Sequence, residues 1–134
     1  MTYDWTDYFK ISKEIIDTCS KKSLSRARKE TLFRIAISRA YYAAFHKCKD
    51  YIKTYGVRLD MNGIHRDLIN NIDIYIQSSE AKVAVNLERA FSLRKQADYN
   101  DVFNGLDKEA AAMIVRVKKI IDAISVRNVG PYKV

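Results

Sequence analysis

The sequence predicts an all-α protein, an antiparallel up-and-down bundle of four to five helices, and three observations carry that prediction. The 134 residues include one proline and four glycines, too few breakers for a chain built from strands and turns. Apolar residues recur at spacings of three and four along most of the length, and no stretch alternates as a half-buried strand does. The segments between these periodic runs are short, which sets successive helices antiparallel. Hydrophobic residues make up 48%, enough for one continuous core at single-domain length.

A first helix is expected from Asp4 or Thr6 to about Ser20, on the stripe Trp5, Tyr8, Phe9, Ile15, Ile16 and Cys19. Lys21 to Ser25 is a polar connection, and Ser25 suits an N-cap because its hydroxyl can accept an orphan backbone N–H. The second helix then continues to Tyr55, with Gly56 where a left-handed cap is wanted. Some 30 residues give a rod of roughly 45 Å. One face carries Leu32, Ala36, Arg39, Ala43 and His46. Another carries Phe33, Ile37, Ala40, Ala44, Cys48, Tyr51, Ile52 and Tyr55, so this helix is expected to be central.

Asp60, Asn62 and Gly63 turn the loop that starts at Val57. A third helix is expected from Ile64-His65, with Leu68, Ile72 and Tyr75 on its stripe and a break at Ser78-Ser79. A fourth starts about Glu80 and carries Val83, Ala84, Leu87, Ala90, Phe91 and Arg94. The pattern lapses from Tyr99 to Gly105. The fifth begins after Leu106 with Asp107 as its cap, and Ala110, Met113, Ile114, Val117, Ile120, Ile121 and Ile124 form the cleanest stripe of all. Residues 1–124 thus form the bundle, and 125–134, with Gly130-Pro131, are expected as a flexible tail.

The formal charge is +8, from 24 Lys+Arg against 16 Asp+Glu, an excess that favours an anionic partner such as RNA, DNA or an acidic protein. Lys21, Lys22, Arg26, Arg28, Lys29 and Arg34 concentrate it, opposed only by Glu30. The first five are candidate contacts to an RNA backbone, or else a solvated helix start. No run approaches the roughly 18 apolar residues of a membrane span. The acidic, aromatic start lacks the features of a signal peptide, so a cytoplasmic location and no membrane partner are expected. Cys19 and Cys48 form no CxxC pair and read as reduced thiols. With two histidines they do not compose a zinc site, and no metal or other cofactor is expected.

Arg39 and His46 lie seven residues apart on the second helix, close to two turns, so both project from one face. Their Cα atoms should be about 10 Å apart along the axis, a gap a phosphate can bridge. Metal-independent RNA cleavage needs a base for the 2′-OH proton and a cation for the charge growing on the phosphorane. Histidine and arginine supply these. Equally open is a structural reading: Arg39 pairs with a carboxylate on another helix and His46 bonds at a helix interface.

A second cluster is Arg94-Lys95-Gln96-Ala97-Asp98-Tyr99. Arg94 and Asp98 have the i, i+4 spacing of an ion pair in its weaker orientation, which leaves Asp98 open to another partner such as Arg39. Tyr99 can pack its ring and bond through its hydroxyl. His65, at the start of the third helix, either approaches the same groove, where a helix N-terminus suits phosphate, or packs locally. Tyr41, Tyr42, Phe45, Tyr51 and Tyr55 either stack on RNA bases or fill the core or a dimer seam.

The string Ser38-Arg39-Ala40-Tyr41-Tyr42-Ala43-Ala44-Phe45-His46, followed by His65 and then Arg94-x-x-Ala97-Asp98-Tyr99, resembles the HEPN domain superfamily, in its small free-standing prokaryotic branch. The resemblance spans about residues 5 to 124. It implies a four- or five-helix bundle, usually a homodimer. It also implies a role in toxin–antitoxin, CRISPR or other antiviral defence, in many relatives as a metal-independent endoribonuclease. Others of the branch are partnered by a minimal nucleotidyltransferase that acts as antitoxin. On this resemblance Arg39 and His46 take the catalytic arginine and histidine positions in a composite site between two protomers. Arg94, Asp98, Tyr99, His65 and Tyr42 support them. The alternative is a non-catalytic HEPN module that holds a nucleotidyltransferase, a nucleotide or RNA.

Overall fold

The computed structural model describes residues 3–21, 23–76 and 82–128. Among these, five α-helices and one 3-10 turn make up the regular structure: α1 (Thr6–Lys21), α2 (Arg26–Lys53), α3 (Ile64–Asn71), the 3-10 turn (Ile72–Tyr75), α4 (Val83–Tyr99) and α5 (Leu106–Asn128). The all-α bundle read from the sequence is the fold observed. No helix among the described residues is long and apolar enough to cross a membrane.

α2 is the central strut, with α1, α4 and α5 each packed along it. Its small residues Ala36, Ala40, Ala43 and Ala44 are fully buried and let the neighbouring helices approach closely. Ser25 caps it as expected, its Oγ accepting from the Arg28 N–H at 3.2 Å. The helix ends at Lys53, two residues short of the expected Tyr55, and the chain turns out through Gly56 at φ +76°. Against α2, α5 lays Ala110, Met113, Val117, Ile120 and Ile124 into the core.

The other boundaries shift for identifiable reasons. α4 begins at Val83, where the Asp73 carboxylate from the 3-10 turn accepts the Ala84 N–H at 2.9 Å. The expected start at Glu80 and the break at Ser78-Ser79 lie outside the described residues. Asp107 does not cap α5: the helix already includes Leu106, and the Gly105 carbonyl accepts the Glu109 N–H at 3.0 Å. Asp107 instead sits in the first turn, where its charge suits the helix dipole. α5 also runs on to Asn128, past Ser125 where the tail was expected to begin, and 129–134 lie outside the described residues. Cys19 and Cys48 are free and buried.

Candidate functional site

Helical phase decides what α2 shows to solvent. Arg28, Ile35, Arg39, Tyr42, His46, Lys49 and Lys53 follow one another at steps of three, four and seven, so they share one strip of the rod. Each is exposed or half-buried. The strip is only partly covered: Trp5, just before α1, lies over His46, and Arg94 of α4 lies against Tyr42. Arg39 and His46 therefore do share a face, as the spacing implies.

Arg39 is exposed and forms no hydrogen bond or ion pair among the described residues. Its guanidinium lies 5.5 Å from the centre of the Tyr8 ring of α1, a cation–π contact that steers the side chain without neutralising it. It lines a groove with Ser38, Ile35 and, from α4, Ala97 and Asp98. The expected pairing of Arg39 with Asp98 is not made. The Asp98 carboxylate instead accepts from Arg94 Nη1 at 3.4 Å and from Ser38 Oγ at 3.3 Å.

His46 stacks face to face on Trp5, with ring centroids 3.6 Å apart and planes 12° from parallel. Nδ1 is buried with no hydrogen-bond partner among the described residues, so any proton exchange at this ring runs through Nε2. Burial holds the His46 pKa below its ordinary value, and the Lys49 ammonium adds to that effect. The imidazole is consequently neutral at pH 7, as a general base requires.

Behind the strip lies a cation in an aromatic cage. Arg94 is 8% exposed, and its guanidinium sits 5.3–5.9 Å from the rings of Phe91, Tyr42, Tyr41 and Tyr99. A guanidinium tolerates this setting because it is weakly hydrated and stacks on ring faces. His65 packs against the same cage, 4.8 Å from Phe91 and nearly parallel to it. The buried Tyr41 hydroxyl and His65 Nδ1 share a 2.6 Å hydrogen bond. Burial raises the Tyr41 pKa, and burial with the nearby Arg94 charge lowers that of His65. Both groups are neutral, and the phenol donates, since otherwise its proton would be left unsatisfied in the interior. His65 is thus a packed residue beside the site. Tyr42 bridges the two layers, its ring 6.2 Å from His46 and 5.5 Å from the Arg94 guanidinium. Tyr99 is 74% exposed at the end of α4.

The basic segment is not gathered into one patch. Arg28 belongs to the strip, whereas Arg26 and Lys29 line a cavity with Phe103 and Gly105 before α5. Lys21 is exposed at the end of α1, and Lys22 lies outside the described residues. Arg34 has another task. Its Nη1 donates to the Ala97 and Asn100 carbonyls at 2.9 and 2.7 Å, and its Nη2 to the Asp101 carbonyl at 3.2 Å. It caps the C-terminus of α4, satisfying orphan carbonyls with a cation where the dipole favours one, and so fixes Asp98 relative to α2. Replacing Arg34 with methionine should cost about 1–3 kcal/mol and fray this turn. Hydrogen exchange at the Tyr99 to Asp101 amides measures it, and unchanged protection there would contradict the cap.

Sequence reasoning missed Trp5, Tyr8 and Ser38, the residues that hold His46, Arg39 and Asp98. Only their helical phase toward the strip could have signalled them. Lys49 and Lys53 were legible as the continuation of the 39, 42, 46 spacing. The family model described as HEPN domain matches residues 9–128, a span that includes every candidate residue named above except Trp5 and Tyr8. A search of curated proteins finds no match to the chain.

Proposed function

The chain belongs to the HEPN domain family, and from that premise we propose that it is a metal-independent endoribonuclease of a toxin–antitoxin or antiviral defence system. The observation that supports it is the disposition of Arg39 and His46 Nε2. Both lie on one strip of α2 with no hydrogen-bond partner holding either polar group among the described residues, while Arg94 is buried behind them and His65, half-buried like His46, has its Nδ1 taken by the Tyr41 hydroxyl. His46 acts as general base, drawing the proton from a ribose 2′-OH as that oxygen attacks the adjacent phosphorus. Arg39 stabilises the phosphorane charge. The 5′-oxygen leaves with a proton from the acid form of a histidine, which a homodimer supplies from its second protomer. Arg94, Asp98, Tyr99, His65 and Tyr42 hold the strip in place. The +8 charge draws the RNA in.

Purified protein incubated with end-labelled RNA in EDTA is expected to yield fragments with 2′,3′-cyclic phosphate and 5′-hydroxyl ends. Intact RNA, or fragments with other ends, would overturn the reading. The close stack of His46 on Trp5 favours a second reading, in which the histidine is a packing residue. The chain is then a non-catalytic module holding a nucleotidyltransferase, a nucleotide or RNA. In that case His46→Ala lowers the melting temperature and leaves partner binding intact.

A further inference from the structure

Beyond His46 the strip of α2 ends at a cavity of about 410 Å³, within the range of small-ligand pockets. Lys49 and Lys53, three and seven residues past His46, bring the strip to its edge, and Arg58 adds a third cation across the opening. Val57, Leu59 and Ile64 give it an apolar floor backed by the core. Met61, 79% exposed, stands at the rim. No carboxylate lines it, and none of the three cations is ion-paired among the described residues. The Lys49 ammonium is kept over the Phe45 ring at 5.8 Å.

We propose that this cavity is a subsite for one unpaired nucleotide of the RNA strand whose scissile phosphate lies at Arg39 and His46. The proposal rests on the ribonuclease reading of that strip. An apolar floor ringed by cations matches a ligand with a flat, weakly polar body and an anionic edge, which a nucleotide in a chain is. Continuity with the strip selects the strand: Lys53 lies about 10 Å along the axis from His46, in reach of phosphates next to the one being cleaved. A polarizable thioether at the rim packs well on an aromatic face. A base already paired in a duplex cannot enter, because its faces and edge are occupied.

The walls are set before any ligand arrives. Gly56 and Gly63, at φ +76° and +78°, bracket the loop in a left-handed conformation that glycine adopts without strain. Inside it, Asp67 accepts the Asp60 N–H at 2.7 Å, and Asp60 accepts the Asn62 N–H at 3.0 Å.

The test is fluorescence anisotropy with a labelled single-stranded RNA hexamer, 2′-O-methylated throughout so that it cannot be cleaved. The same strand is measured in a duplex and in a series lacking one base at a time. Loss of one particular base should weaken binding about tenfold, the duplex should bind more weakly, and Lys53→Glu and Met61→Glu should each reproduce the loss. Both side chains are exposed, and Met61→Ala serves as a milder second variant. Binding indifferent to all base deletions and to these variants, or a duplex bound as tightly as the single strand, would overturn the subsite. Because the probe cannot react, that outcome is separate from failure of Arg39 and His46 in cleavage.

Discussion

Replacing His46 with alanine is expected to lower RNA cleavage in EDTA by about 10²–10⁴-fold, and Arg39→Ala by about 10²–10³-fold, with both variants folded. Arg39 can go without disturbing the bundle because it is exposed and makes no hydrogen bond or ion pair among the described residues, its guanidinium resting on the face of Tyr8. His46 removes half of a ring stack at the start of α1, so its variant should melt slightly earlier but as one cooperative unit. Arg39→Lys should recover part of the rate, since it restores charge but not the planar fork that matches a phosphate. The pH profile adds a second readout. Burial lowers the His46 pKa from its ordinary 6.5, so cleavage should rise through a midpoint below that value as the base loses its proton, and fall again at higher pH as the acid histidine of the second protomer is deprotonated. The same shift links to stability. His46 and His65 both have depressed folded pKa values, so their contributions are complete above pH 6.5 and are lost as pH falls through the folded values. Rates unchanged in both alanine variants would remove these residues from the mechanism.

Arg94→Ala should be the most destabilising change near the site, by about 2–4 kcal/mol, read from the urea midpoint. The substitution empties the centre of the aromatic cage and removes the Asp98 partner on α4. Lysine should not rescue it: an ammonium is compact and strongly hydrated, and cannot lie flat among four rings. Since the Tyr42 ring rests between Arg94 and His46, cleavage should fall along with stability. An Arg94→Ala protein with a wild-type midpoint would show that the cage is merely adjacent.

The fold was legible because α2 and α5 advertise themselves. The stripe Ala110 to Ile124 has one period throughout, and the two apolar faces of α2 announced a helix with several neighbours. Phase also placed Arg39 and His46 together. What it could not give was the identity of the neighbour. Trp5 meets His46 across two helices, and nothing local to either residue encodes that meeting. Arg34 read as one more charge in a basic run because its carbonyl partners lie far along the chain, at and just past the end of α4. Arg94 and Asp98 were visible as a pair, but burial of the arginine is a property of the rings around it. Asp107 failed as a cap because the Gly105 carbonyl could start the helix one residue earlier.

The two left-handed glycines have a consequence for how such a protein diversifies. Between them Val57 and Leu59 anchor the segment to the core, while Arg58, Met61 and Asn62 project freely. Anchors and tips are thus separate residues, much as in an antibody loop. The tips can be exchanged alone, while the long rod beneath keeps Arg39 and His46 in register.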